Sequence, residues 1–172
     1  ADMAGQGQLV ATDTDRARLS RLPERAARAG ALIETRLLNP GREAEALADL
    51  ADAADVVLVD APCSGSGTWR RNPELRWRLT PQRLERTRAT QAHVLDVAAP
   101  LVKPGGGLVY AVCSLFAAEG DAQIAAFLAR HSGWAVDHVP LALGRETETG
   151  YVLTPAHEGT DGFFVARLTR NG

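Results

Sequence analysis

Two cysteines in 172 residues are too few for a disulfide scaffold, and no apolar run comes near the roughly 20 residues that span a bilayer. There is no C-x-x-C pair and no histidine pair beside either cysteine, so no metal site is expected. The dinucleotide fingerprint G-x-G-x-x-G is missing too, since Gly5 and Gly7 stand at the wrong spacing and too close to the first apolar segment. No repeat, low-complexity tract or linker divides the chain, and no secretory leader opens it. The first residues are Ala1-Asp2-Met3 rather than an initiator Met, which reads as a fragment. These absences leave one domain over residues 1–172, expected to be cytoplasmic and monomeric with free thiols, without membrane or metal partners.

The composition that remains is that of a folded protein, 45% hydrophobic and 23% charged. A net charge of -2 means that nucleic acid can be held only by a local basic patch. Residues 9–12 read as a strand ending at Asp13, followed by a helix over 16–29 that Asp15 caps and Gly30 closes, with Pro23 inside it. A strand over 33–38, a helix over 44–50 and a strand over 56–59 complete a β-α-β-α-β order. Beyond them come a long helix over 81–99, a strand over 108–112 after a Gly-rich turn, and a helix over 119–131. Segments 136–141 and 162–168 read as a closing antiparallel hairpin at a sheet edge. Apolar strands alternating with helices predict an α/β fold, a mostly parallel sheet with helices on both faces. In such sheets ligands gather at the carboxyl ends of the strands, where Asp13, Asp60, Cys63 and Cys113 all fall.

Each cysteine ends an apolar, β-branched run: Val56-Val57-Leu58-Val59-Asp60-Ala61-Pro62-Cys63 and Leu108-Val109-Tyr110-Ala111-Val112-Cys113. Two thiols delivered to one edge suggest covalent chemistry, although a lone buried Cys is more often inert. In the loop Asp60-Ala61-Pro62-Cys63-Ser64-Gly65-Ser66-Gly67, Pro62 fixes φ and the glycines permit positive φ, a shape suited to a planar ligand. Asp60 can serve there as a hydrogen-bond partner or proton donor to a base ring. Asp13 suits a ribose diol, the alternative being a second capping acid beside Asp15. Seven arginines lie between positions 70 and 88, interleaved with Trp69 and Trp77. Guanidinium groups pair with phosphates and indoles stack on bases, so this stretch reads as an RNA-contacting surface, against the plainer reading of a solvated helix face.

Asp60-Ala-Pro-Cys63-Ser-Gly-Ser-Gly67, Arg70-Arg71-Asn72-Pro73, Lys103-Pro-Gly-Gly106, Tyr110-Ala-Val-Cys113-Ser114 and Asp161-Gly-Phe-Phe164 together resemble the RNA (cytosine-5) methyltransferase family, nearest to its bacterial Sun-type branch acting on small-subunit ribosomal RNA. The resemblance implies a Rossmann-like fold dependent on S-adenosyl-L-methionine, with cytosine in RNA as substrate. It implies Cys113 as the nucleophile on C6, Cys63 as the residue that helps release product, and Asp60 as the group that steadies the ring. Asp13, Asn39, Asp60 and Pro62 are implied at the cofactor, Asn39 where the family often has Asp, and Arg70, Arg71 and Asn72 at the RNA. The family's Gly-rich loop and first strand are not found, so the chain is expected to lack them. The alternative function is a non-catalytic RNA-binding module on the same fold.

Overall fold

The computed structural model describes Met3 and residues 6–172, so Gly5 and the reading placed on Ala1-Asp2 lie outside the described residues. Two compact units divide the chain, one ending at Asp49 and the other spanning Leu50–Gly172. Among the described residues no helix is long and apolar enough to cross a membrane.

The first unit contains β1 (Val10–Asp13), α1 (Arg16–Leu19), α2 (Leu22–Arg28), β2 (Glu34–Leu37) and α3 (Glu43–Ala46). β1 and β2 are parallel, with Asp13 opposite Leu37. Asp15 caps α1 as expected, its Oδ1 accepting from the Ala17 and Arg18 N–H groups at 2.8 and 3.3 Å. The single helix expected over 16–29 is instead broken at Ser20 and Arg21. An unbroken helix would press the Pro23 ring onto the Leu19 carbonyl, so the chain restarts with Pro23 in the first turn of α2, where no N–H is needed. α2 then stops at Gly30, whose φ of 64° lets the Ala31 N–H reach back to the Ala26 carbonyl.

The second unit contains β3 (Ala54–Asp60), α4 (Glu74–Arg78), α5 (Pro81–Ala98), β4 (Val102–Val112), α6 (Asp121–Arg130), β5 (Trp134–Val136), β6 (Arg145–Glu146), β7 (Tyr151–Leu153), α7 (Pro155–Glu158) and β8 (Phe163–Arg170). Its sheet runs β3-β4-β8-β7-β6, with β5 also paired to β8. Only β3 and β4 are parallel; the other pairings are antiparallel. The alternation of a strand puts Leu108, Tyr110 and Val112 on one face of β4 and Phe164, Ala166 and Leu168 on the matching face of β8, all buried. Leu95 and Ala98 of α5 and Ile124 and Phe127 of α6 join this cluster. Fully burying one such Leu or Phe contributes about 1.5–3 kcal/mol. On the opposite face of β3, Val56 and Leu58 are exposed.

The expected antiparallel edge is present and larger than a hairpin. β5 and β8 do pair, Trp134 opposite Arg170, but 26 residues separate their ends in the chain and β8 lies inside the sheet. β5 stops at Val136, short of the expected Leu141: the Asp137 N–H still bonds the Arg167 carbonyl, and Pro140 further on has no N–H to give. The hairpin at the rim is β6–β7, which the sequence reading did not anticipate.

Three loops meet where side chains are excluded. The Gly67 N–H donates to the Cys113 carbonyl at 3.0 Å, and the Gly162 N–H donates to the Gly67 carbonyl at 2.8 Å. A Cβ on Gly67 would lie 1.9 Å from the Gly162 carbonyl oxygen, whereas a Cβ on Gly133 would meet nothing. Gly67→Ala is therefore expected to lower stability by about 3 kcal/mol through forced backbone displacement, and Gly133→Ala to change it little, as read from urea-unfolding midpoints.

Candidate active site

Because β3 and β4 are parallel neighbours with Asp60 opposite Ala111, both strands release their chains at the same edge. The last rung is the Ala61 N–H to the Ala111 carbonyl at 3.1 Å; Pro62 has no N–H to extend it, and the loop leaves the sheet. Gly65 then takes a left-handed φ of 70°, a conformation a side chain would strain, and a short 3₁₀ turn over Ser66–Thr68 follows. That reversal folds the loop back across the end of β4. Cys63 Sγ and Cys113 Sγ come to lie 3.2 Å apart, both half-buried.

At this separation the two thiols are within hydrogen-bond distance of each other. The hydrogen bond from Cys63 is the main influence on Cys113 and lowers its pKa to about 7, helped by the Cys113 backbone N–H and opposed by burial and by the charges of Asp60 and Glu119. Cys63 moves the other way, pushed far up by the same bond and by burial. The two shifts run in opposite directions and favour Cys113 as the thiolate of the pair and Cys63 as its hydrogen-bond donor.

Beneath the sulfurs lies a polar network that the sequence reading missed. Glu119 is fully buried. Its Oε1 accepts from the Ser64 N–H at 2.9 Å and from Gln91 Nε2 at 3.0 Å. Its Oε2 accepts from the hydroxyls of Ser64 at 2.5 Å and Ser114 at 2.6 Å. Gln91 also donates to the Pro62 carbonyl at 2.9 Å, which brings α5 under the same loop. The available signal was the repeated Cys-Ser pair, Cys63-Ser64 and Cys113-Ser114, together with an acid just before a helix.

The other expected site residues fall as follows. Asp60 ends β3 with an exposed side chain whose charge is felt at Cys113. Pro62 lies exposed next to Cys63. In the first unit Asp13 ends β1; its Oδ1 accepts the Asp15 N–H at 2.8 Å, and its Oδ2 lies 3.7 Å from the exposed Arg18. Asn39 is exposed two residues beyond β2, whose end is tied to β1 by the Leu38 N–H to the Asp13 carbonyl. Arg70 is exposed, whereas Arg71 Nε binds Asp161 at 2.7 Å and so ties two loops together, and Asn72 Nδ2 reaches Thr68 Oγ1 at 3.3 Å within its own turn. Trp69 packs edge-on against Phe116, but Trp77 is 81% exposed, with the Arg76 guanidinium 5.6 Å from its ring centroid. Among the described residues no three His, Cys, Asp or Glu groups are arranged to hold a metal ion.

The second unit is thus a mixed sheet that presents an acidic thiol at the carboxyl edge of two parallel strands, in an α/β frame. Comparison with known proteins sharpens that class. The structure superposes on NSun6 from Pyrococcus horikoshii, solved with SFG, at a TM-score of 0.82 and 27% identity over 97% of this chain and 42% of that one. A methyltransferase homologue from the same organism gives a TM-score of 0.75 at 26% identity over 96% of this chain and 54% of that one. The fold is the Rossmann-like fold of S-adenosylmethionine-dependent methyltransferases. In sequence, the chain is 38% identical to the probable ribosomal RNA small subunit methyltransferase B of Synechocystis, over 98% of this chain and 39% of the relative. It is 36% identical to the ribosomal RNA small subunit methyltransferase B of Thermus thermophilus, over 98% of this chain and 41% of the relative. The chain thus spans about two fifths of the length of these curated relatives. Residues 1–169, which take in both units, match the family described as 16S rRNA methyltransferase RsmB/F, and the chain belongs to that family.

Only the thiolate is alkylated, so the iodoacetamide reaction at Cys113 is expected to rise with pH through a midpoint near 7. Cys63→Ala removes the donated hydrogen bond and is expected to move that midpoint up towards the ordinary thiol value of about 8.5. Rates followed by mass spectrometry of the Cys113 peptide check both.

Proposed function

We propose that this protein methylates C5 of cytosine in RNA, through a covalent bond between Cys113 and C6, and that its substrate is small-subunit ribosomal RNA. The observation that carries the reading is the pair of sulfurs 3.2 Å apart with the more acidic one on Cys113. The names of the relatives support the RNA class, and the match to NSun6 solved with SFG, an analogue of S-adenosylmethionine, supports the methyl donor.

Asp13 has the chemistry to hold the donor's ribose, since its Oδ2 lies 3.7 Å from the exposed Arg18 and can accept from a diol. Asn39, exposed beyond the neighbouring strand of the same unit, offers an acceptor and a donor to the adenine edge. When bound, S-adenosylmethionine supplies an electrophilic methyl group. The protein's own part is to make C5 able to take it. Addition of the Cys113 thiolate at C6 breaks the C5–C6 double bond and places electron density on C5. Asp60 hydrogen-bonds the ring and steadies the charge that develops there.

Until Cys113 has reacted, Cys63 spends its proton on the neighbouring thiolate and cannot act as a base. Once Cys113 is a thioether, that bond and the neighbouring charge are both gone. Cys63 can then lose its proton to solvent water and, as thiolate, take the proton from C5, and the returning electron pair expels Cys113 as thiolate and restores the double bond. One hydrogen-bonded pair thereby keeps nucleophile and base from exchanging roles.

RNA is held, in this reading, by the Arg-rich stretch around α4. An exposed indole with a guanidinium over its face is a platform for a base, and exposed arginines answer phosphates.

Cys113→Ala is expected to abolish methylation and the denaturant-resistant protein–RNA adduct, while Cys63→Ala accumulates that adduct; gel mobility of labelled RNA reads both. If Cys113→Ala still forms the adduct, the roles of the two thiols are reversed. Trp77→Ala is expected to weaken RNA binding by about 1–3 kcal/mol, the worth of one stacked base, in filter-binding titrations at fixed salt.

A further inference from the structure

Glu119 is a buried ionisable group beside the two cysteine loops that the proposed reaction leaves without a task. It is fully buried, and its two oxygens accept four hydrogen bonds, two from Ser64, one from Ser114 and one from Gln91. A carboxylate withdrawn from water is costly unless its lone pairs are filled, so all four donors are held to it strongly. Ser64 and Ser114 are each the residue next to a reactive cysteine. The carboxylate therefore bridges the two loops one residue away from the sulfurs.

Everything around Glu119 fixes where that bridge stands. Its backbone carbonyl accepts from the buried Tyr110 hydroxyl at 2.8 Å, which anchors it to β4. The residue after it, Gly120, has the Phe164 ring where a Cβ would be, at 2.8 Å. The Gln91 amide oxygen is held by Gln123 Nε2 at 3.3 Å, so the α5 arm of the bridge is itself fixed from α6. Ser66 Oγ lies 3.0 Å from Ser114 Oγ and accepts the Leu115 N–H at 2.9 Å, which ties the far ends of the same two loops.

We infer that Glu119 is a positioning residue for the methyl-transfer site: its carboxylate clamps the Cys63 and Cys113 loops at the separation that lets the two thiols hydrogen-bond. It touches neither sulfur through a hydrogen bond, and it holds the two loops through Ser64 and Ser114, with Gln91 from α5. The inference deepens the proposed reaction and rests on it for its catalytic consequence. The clamp itself can be read without methylation, from the ionisation of Cys113.

Charge and position act in opposite directions here, and that makes the inference testable. Cys113 is faced by Cys63, by Asp60 from β3, by Glu119, and at longer range by Arg71, which feels its charge. The negative charge of Glu119 opposes formation of the thiolate, so removing charge alone makes Cys113 more acidic. Releasing the clamp lets Cys63 move off and makes Cys113 less acidic. Glu119→Gln removes the charge and keeps the shape: its amide oxygen still accepts from Ser64 N–H and Gln91, and its amide N–H groups can donate to serine hydroxyls that turn to accept. Glu119→Ala removes both.

The experiment is iodoacetamide alkylation of Cys113 against pH in the intact protein, with thermal melts as the check on folding. The expected result is a Glu119→Gln midpoint at or below the wild-type one and a Glu119→Ala midpoint raised towards that of Cys63→Ala, about tenfold slower alkylation at pH 7. A folded Glu119→Ala protein with an unchanged or lowered midpoint would overturn the inference. Should Glu119→Ala fail to fold, Ser114→Ala removes the Cys113 arm together with the hydroxyl's contacts to Ser66 and the Phe116 N–H: a raised midpoint supports the clamp and an unchanged one overturns it. Because no methyl donor or RNA enters the assay, failure of the clamp and failure of the proposed reaction are separate results.

Discussion

The register of β3 on β4 governs the chemistry at the sheet edge. With Asp60 opposite Ala111, the two strands end level, and the loops that follow carry Cys63 and Cys113 to one place. Strand side chains alternate with a period of two, so a slip of one residue would turn Tyr110 and Val112 out of the core and the cysteine behind them away from its partner. The buried face of β4 and β8 thus specifies the position of the thiols as firmly as it specifies the fold. Gly67 and Gly162 complete the arrangement, since only chains without side chains pass closely enough to let the loop fold back over Cys113.

From that proximity the division of labour follows. Two like groups 3.2 Å apart cannot both lose a proton at neutral pH, so one becomes a thiolate and the other its donor. The acidity falls to Cys113, and in the proposed reaction Cys63 is held in reserve until the first sulfur has been consumed. Beneath them a single buried carboxylate gathers one hydroxyl from each loop. In the proposed reaction the site separates positioning, assigned to the buried Glu119 network, from chemistry at the two half-buried sulfurs.

Much of this was legible in the sequence because it is local. The apolar runs before Cys63 and Cys113, the Asp15 cap and the Gly30 stop are each written within a few residues, and the structure has them. Pro23 was visible as well, though its effect was to split a helix rather than to be tolerated inside one. What was not legible is non-local. β8 comes between β4 and the β5 and β7 strands by pairing across more than 50 residues, which no short pattern announces. Glu119 draws its partners from positions 64, 91 and 114, so its role appears only when three elements are brought together. Arg71 reads like its arginine neighbours until Asp161, 90 residues on, is found beside it.

The central claim is that Cys113 makes the bond to the substrate ring while Cys63 waits to remove the C5 proton. RNA carrying 5-fluorocytidine tests it most directly, because fluorine at C5 cannot be taken as a proton and the covalent stage cannot resolve. Tandem mass spectrometry of the protein trapped with methyl donor and fluorinated RNA locates the bond. The account predicts the nucleotide on the Cys113 peptide with Cys63 unmodified; the nucleotide on Cys63, or no trapped species with active enzyme, would contradict it.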